Sequence, residues 1–293
     1  MKLKRAADDP VLSPRKNITW EKDAVFNCGV HFEDGVYHLL YRAVSHKKDD
    51  PNRSSIGYAY SKDGVNFKRR EKPVLSPGAS AEEAQGVEDP RITKIDDKYY
   101  MLYTAYDSNK TRIAMAVSGD LINWQRKGIV LDWELFGNNK DAALFPEKIN
   151  GRYIMLHRPE PDIYVASSRD LKKWDNHRCI MKPKYGWEEK KIGAGAQPLK
   201  TEKGWLLIYH GVDSDSVYRL GAALLDLENP TKVVKRQSAP ILEPETDWEL
   251  TGDVNNVVFT CGAVLRDNQL EVYYGGADKV IGLARADIGD FIN

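Results

Sequence analysis

The chain has no surplus of either charge: 43 Lys and Arg balance 43 Asp and Glu among 293 residues. Nucleic-acid binders ordinarily carry a basic surplus, so that class of partner is set aside. No apolar run approaches the roughly 20 residues needed to cross a bilayer, so no membrane partner is expected. The start, Met1-Lys2-Leu3-Lys4-Arg5-Ala6-Ala7-Asp8-Asp9, is basic but lacks the apolar stretch of a secretory signal. A cytoplasmic location is therefore expected. Cysteine is scarce: Cys28, Cys179 and Cys261 lack metal-ligand spacing, and no metal or other cofactor is expected. Long amphipathic helices are missing too, although a short helix fits near Glu82-Glu83-Ala84.

What the chain does have is a repeat of strands. Second strands of successive units read His38-Leu39-Leu40-Tyr41-Arg42, Tyr100-Met101-Leu102-Tyr103-Thr104, Tyr153-Ile154-Met155-Leu156-His157-Arg158, Trp205-Leu206-Leu207-Ile208-Tyr209-His210 and Val272-Tyr273-Tyr274-Gly275-Gly276. Third strands begin at Ile56, Ile113, Ile163, Leu220 and Ile281, at spacings of 57, 50, 57 and 61. A period of that size built of short strands predicts an all-β, five-bladed β-propeller with a central pocket. The repeats run from about Asn27 to Ala286, so residues 1–293 are expected to form a single domain. The polar segment before Asn27 would pack on the ring or complete a blade. Cys28 and Cys261 take equivalent places in the first and last blades, which adjoin if the ring closes. Buried free thiols are favoured there over a disulfide.

Turn chemistry supports the repeat. Asp34-Gly35, Asp96-Asp97, Asn150-Gly151, Lys203-Gly204 and Asp267-Asn268 separate first from second strands as hairpin signals. Later turns share a Ser-x-Asp start and an aromatic return: Ser61 to Phe67, Ser118 to Trp124 and Ser168 to Trp174. The Asp closes the turn on its own backbone, and the aromatic packs between blades. The longer loops, about 45–55, 77–86, 133–142, 183–193 and 243–256, are the candidates for shaping a site. The run Glu188-Glu189-Lys190-Lys191 is read as a solvated loop.

If each first strand lies innermost, the starts of first strands and the ends of second strands share one face. Gathered there are Asn27 and Arg42; Glu88, Asp89 and Asp107; Lys140, Asp141, Glu147, His157 and Arg158; Gln197, His210, Tyr218 and Arg219; and Asn255, Asn256 and Asp278. Carboxylates beside Arg, Lys, His, Tyr and amides suit a sugar together with an anion. Asp89 stands out in Gly86-Val87-Glu88-Asp89-Pro90-Arg91, at the start of an inner strand, though capping a turn or pairing with Arg91 would also place an Asp there. Arg158, His210 and Tyr218 together could donate several hydrogen bonds to one phosphate.

In these residues the chain resembles the mannoside phosphorylases of glycoside hydrolase family 130. The likeness is carried by Asn27-Cys28-Gly29, Tyr41-Arg42-Ala43, Gly86 to Arg91, Leu144-Phe145-Pro146-Glu147-Lys148, His157-Arg158-Pro159, Tyr209-His210-Gly211-Val212, Tyr218-Arg219-Leu220-Gly221 and Tyr274-Gly275-Gly276-Ala277-Asp278. The resemblance implies a five-bladed propeller and reversible, inverting phosphorolysis of a β-mannoside to α-mannose 1-phosphate. It implies Asp89 as catalytic acid, with Asn27, Arg42 and Asp278 holding the mannosyl ring; Glu88 and Asp107, at the same face, are expected as further sugar contacts. It implies Arg158, His210, Tyr218 and Lys140 as phosphate ligands, with inorganic phosphate as co-substrate. An inverting hydrolase needs a second carboxylate to activate water, whereas phosphate is already a nucleophile and needs positioning. A β-mannosidase and a non-catalytic carbohydrate-binding propeller are the competing functions. Linkage and acceptor are left open, and loops 45–55, 133–142 and 183–193 are expected to decide them. A homo-oligomer is compatible with the sequence, with Trp187 and Trp248 as candidate interface aromatics.

Overall fold

Residues 2–47, 50–131 and 133–292 are described by a computed structural model. Their strands form a five-bladed β-propeller. The inner strands are Ala24–Glu33, Gly86–Ile95, Asn139–Leu144, Lys191–Ala194 and Val258–Arg266. Each is joined in its blade by antiparallel second, third and outer strands. A short strand, Leu199–Lys200, pairs with the second strand of blade four beyond a break in its inner strand. Blades one and two are joined by a parallel bridge from Ser54 to Gly86 and so count as one continuous sheet.

The inner strands of blades one to four touch in succession, Leu199–Lys200 carries the contact on to Val258–Arg266, and that strand packs on the first. The N-terminal segment completes the circle. Lys4–Arg5 is the outer strand of blade five, paired with Val280–Asp287, and Leu12 bridges to Ile281. Both faces of each blade are covered by a neighbour, which explains why the second strands read as nearly unbroken apolar runs. Five large apolar clusters fill the blade interfaces. In the seam of blades three and four, Trp205 is fully buried and packs edge-on against Phe145 at 5.2 Å. Cys28 and Cys261 are buried free thiols.

Local turn chemistry works as the residue types require. Asp34-Gly35, Asn150-Gly151 and Asp267-Asn268 have positive φ at both positions, the geometry that matches strand twist in two-residue hairpins. In the Ser-x-Asp turns, Ser61 Oγ accepts the amides of Asp63 and Gly64, while Asp63 Oδ1 accepts those of Val65 and Asn66. Ser118 with Asp120, and Ser168 with Asp170, repeat this set.

Four blades carry a buried stitch that the sequence reading passed over. Short helices before the inner strands present Glu21, Glu83, Glu188 and Glu249, each nearly or fully buried. A second-strand tyrosine donates to each: Tyr41 to Glu21 at 2.5 Å, Tyr103 to Glu83 at 2.9 Å, Tyr209 to Glu188 at 2.9 Å and Tyr274 to Glu249 at 2.7 Å. An outer-strand arginine then pairs with the same carboxylate: Arg69, Arg126, Arg236 and Arg5 respectively. The stitch ties the outer edge of a blade to the segment leading into its core. Removing one partner of such a buried pair costs about 3–5 kcal/mol.

One expectation is corrected by this device. Glu188 is not solvated but lies at the centre of blade four's stitch. Trp187 and Trp248 also pack within their own blades, on Tyr209 at 5.8 Å and on Tyr274 at 5.9 Å, and stay half-buried. The supposed loop 45–55 is largely strand, since Val36–Lys47 and Asp50–Ser61 extend as a hairpin, with Lys48 and Asp49 outside the described residues. Loops 77–86, 133–142, 183–193 and 243–256 each hold one turn of helix instead, Ala81–Glu83, Trp133–Phe136, Gly186–Glu188 and Asp247–Leu250.

Candidate active site

Three inner strands break register at equivalent points. The ladder slips between Phe26 and Gly29, between Glu88 and Arg91, and between Lys140 and Ala143. At each bulge an Asn or Asp takes positive φ: Asn27 at 46°, Asp89 at 52° and Asp141 at 57°. These are the non-glycine residues that best tolerate that conformation. An extra residue re-aims a side chain off the sheet. Pro90, with no N–H to lose, fits beside the break.

The first two bulges build one polar group. Asp89 Oδ1 accepts Asn27 Nδ2 at 3.0 Å and Arg42 Nη1 at 3.3 Å. Arg42 Nη2 donates to Glu88 Oε1 at 2.8 Å, and its Nε to Ser54 Oγ at 2.9 Å. The guanidinium lies 4.8 Å from the centre of the Phe26 ring. Burial pushes Asp89 up, but Arg42, Lys140 and the Asn27 amide outweigh it and hold the carboxyl below its usual range. Glu88 goes the other way: burial, helped by the Asp89 charge, raises it despite Arg42. Asp278 follows the second strand of blade five and has φ 51°. With Phe26, Arg42, Val44, His46, Asp253 and Val254 it lines a cavity of about 480 Å³. Burial raises its carboxyl to about 7 against the pull of Arg42, and Asp89 and Asp253 add to the rise.

The third bulge builds a second group of opposite balance. Asp141 Oδ2 lies 2.7 Å from Arg158 Nε and 3.7 Å from His210 Nε2, and Oδ1 accepts Arg91 Nη2 at 3.2 Å. Arg158 Nη1 reaches Glu160 at 2.8 Å, which also takes Lys191 Nζ at 2.9 Å. His210 packs on Phe259 at 4.5 Å and stacks on Tyr218 at 6.0 Å. A Cβ at Gly193 would collide with the His210 ring and with Asp141 Oδ2, so glycine lets the strand pass there. Burial pushes His210 down to about 3, although Asp141 opposes it; Arg158, Arg91 and Lys191 add to the fall. Lys140 pairs in register with Arg158, and its charge acts on Glu88, Asp89, Asp141, Tyr218 and Asp278. It therefore stands between the two groups.

Arg91 crosses the ring and links them. It donates to the carbonyls of Gly195 at 2.6 Å, Ala194 at 2.8 Å and Asp89 at 3.2 Å, as well as to Asp141. Its bond to residue 89 is thus to the backbone, which leaves the Asp89 carboxylate to Asn27 and Arg42.

Asn27, Arg42, Glu88 and Asp89 bond together, with Asp278 on the wall beside Arg42. Arg158, His210 and Tyr218 gather around Asp141, with Lys140 alongside. Asp107 is engaged elsewhere: its carboxylate accepts the amides of Asn109 and Lys110 and pairs with Arg112 at 2.8 Å. Of the other polar residues expected at this face, Glu147 is exposed and pairs with Lys200, and Arg219 pairs with Asp213. Two contributors had been given no role. Asp141 was named only as a polar neighbour, and Lys191 was assigned to a solvated loop. The signal for Asp141 was its place one bulge further round the ring from Asp89. Among the described residues no group of His, Cys, Asp and Glu could hold a metal, and no helix is long and apolar enough to cross a membrane.

The family described as beta-1,4-mannooligosaccharide phosphorylase, glycoside hydrolase family 130, matches residues 5–293. The chain belongs to that family. It is 52% identical to a 1,2-beta-oligomannan phosphorylase of Thermoanaerobacter sp., over 99% of both chains. It is 55% identical to a beta-1,2-mannobiose phosphorylase of the same organism, over 97% of this chain and 96% of that one. Among solved structures, the beta-1,2-mannobiose phosphorylase of Listeria innocua, in complex with beta-1,2-mannobiose, superposes with a TM-score of 0.90 at 32% identity. That match covers 99% of this chain and 98% of the other.

Proposed function

We infer that this chain is an inverting phosphorylase of β-mannosides, and that its substrates are β-1,2-linked. The observation that carries the first part is the group of Arg158, His210, Tyr218 and Lys140 around Asp141, which Arg91 and the Lys140 charge tie to Asp89. The linkage rests on the two relatives that share more than half of the aligned residues, both named for β-1,2-mannosides.

In the proposed reaction a phosphate oxygen attacks C1 of the mannosyl residue from the α face as the β-glycosidic C1–O bond breaks. The departing oxygen takes a proton that originates on Asp89, passed through a sugar hydroxyl. The products are α-mannose 1-phosphate and the shortened acceptor. Asn27, Arg42 and Asp278 hold the sugar ring, and Glu88 tunes Asp89 through the shared Arg42. Arg158 offers a permanently charged fork to two phosphate oxygens. His210, Tyr218 and Lys140 complete the anion site.

Asp89 is held ionised in the free pocket, so it must gain its proton when substrate enters. An uncharged sugar that displaces water from the Asp89–Glu88 pair disfavours charge on both carboxyls, which is the required direction.

The test is incubation with β-1,2- and β-1,4-mannobiose, with and without phosphate, followed by NMR. Phosphate-dependent appearance of α-mannose 1-phosphate from the β-1,2 substrate is expected. Equal release of free mannose without phosphate would point to a hydrolase, and binding without turnover to a carbohydrate-binding propeller.

A further inference from the structure

Blade three departs from the other four at one register position. Opposite third-strand residues Gly57, Ala114, Gly221 and Gly282, the second strands carry Tyr41, Tyr103, Tyr209 and Tyr274; opposite Tyr164, blade three carries His157. This imidazole is fully buried. Its bonds run to Asn139 at the start of the inner strand and to His177 on the outer strand.

The protons in this cluster follow from one another. The bulge at Asp141 interrupts the ladder next to Arg158. There the Arg158 amide donates to Asn139 Oδ1 at 3.1 Å. The other end of the Asn139 side chain, Nδ2, is then a donor, and it faces His157 Nδ1 at 3.0 Å. His157 therefore carries its proton on Nε2, 3.1 Å from His177 Nδ1. His177 in turn carries its proton on Nε2, 3.2 Å from the Trp174 carbonyl. Every contact pairs one donor with one acceptor. Both rings are uncharged: burial pushes His157 down to about 3, with His177 adding to the fall, and burial lowers His177 as well. Phe136 packs against both, at 5.1 and 4.4 Å.

A site needed only for packing would be filled as well by an apolar or tyrosyl ring, because burying polar groups carries a desolvation cost. What this chain of bonds reaches at its inner end is the backbone of Arg158, directly beside the bulge that delivers Asp141. We propose that Asn139 and His157, oriented by His177, are positioning residues that fix Arg158 and its register partner Lys140 for phosphate. The proposal rests on the phosphate-binding role given to Arg158 above.

The test is steady-state kinetics of Asn139→Leu, His157→Leu and His157→Gln, with phosphate and mannoside varied separately and wild type run in parallel. Loss of one orienting hydrogen bond predicts a roughly three- to tenfold rise in the KM for phosphate in the leucine variants. The KM for mannoside should be unchanged. Glutamine keeps one acceptor and one donor, so His157→Gln should recover most of the loss. A fall in kcat alone, with the KM for phosphate unmoved, overturns the proposal while leaving the phosphorylase assignment intact. Mannose release by wild type that ignores phosphate overturns the assignment itself, and the proposal with it. Should the leucine variants not fold, nitrogen NMR of the wild-type imidazoles decides: His157 and His177 are expected as Nε2–H forms, and a His157 protonated on Nδ1 contradicts the relay.

Discussion

Arg42 sits between Glu88 and Asp89, one guanidinium shared by two carboxylates; Asp141 sits between Arg158 and Arg91, one carboxylate shared by two guanidiniums. Both arrangements grow from the same backbone device, a bulge with an Asn or Asp at positive φ. The difference lies in the company each bulge keeps. In blades one and two the surplus is acidic: Glu88 is raised, on the adjoining wall Asp278 is raised to about 7, and Asp89 alone is held down by Arg42 and Lys140. In blades three and four the surplus is cationic, and His210 is kept neutral beside it. A propeller thus offers equivalent inward positions, and the neighbours of each decide its chemistry. The acidic half suits a sugar and a proton; the cationic half suits an anion.

Asp89→Asn should break the acidic half alone. The amide keeps an oxygen for Asn27 and Arg42, so the fold should survive, while turnover falls by about two to four orders of magnitude. Purified variant with near-normal turnover would remove Asp89 from its role. Arg158→Ala should break the cationic half alone. Loss of one charge-assisted contact costs about 1.5–3 kcal/mol, or roughly ten- to a hundredfold in apparent phosphate affinity, with mannoside affinity little changed. Kinetics with each substrate varied separately would show it, and equal effects on both would dissolve the division.

Asp278 sharpens the comparison by a smaller effect. Its folded-state pKa of about 7 lies above the ordinary 3.8, so the native state holds a proton that the unfolded chain has released. That contribution to stability is present at low pH and is lost as pH rises through about 7. Relative to wild type, Asp278→Asn should therefore gain melting temperature as pH is raised from about 4 to about 8. A constant difference across that window would show that Asp278 is not held protonated.

The ring was legible because its signals are local. Strand pairs, Asp-Gly and Asn-Gly hairpins and Ser-x-Asp turns each act within a few residues. The place of Asp89 at the start of an inner strand was legible from the Gly86 to Arg91 run, where Pro90 follows it. The centre of the cationic half was not, because Asp141 acquires its role only when blades two, three and four bring Arg91, Arg158 and His210 to it. Asp107 was placed with the site by its strand-end position, yet its carboxylate closes the turn to Asn109 and Lys110 by the same chemistry recognised at Asp63. Glu188 was misjudged for a related reason. A charged residue in a loop looks exposed until the tyrosine and arginine that enclose it arrive from strands some 20 to 50 residues away, or, for Arg5 at Glu249, from the other end of the chain.

The division of the pocket is tested most directly by calorimetric titration of inorganic phosphate into Asp89→Asn and Arg158→Ala side by side with wild type. The account predicts wild-type affinity or tighter in Asp89→Asn, where no phosphate contact is lost and a nearby negative charge is removed. It predicts at least roughly tenfold weaker binding in Arg158→Ala. Weakened phosphate binding in Asp89→Asn together with undiminished binding in Arg158→Ala would contradict it.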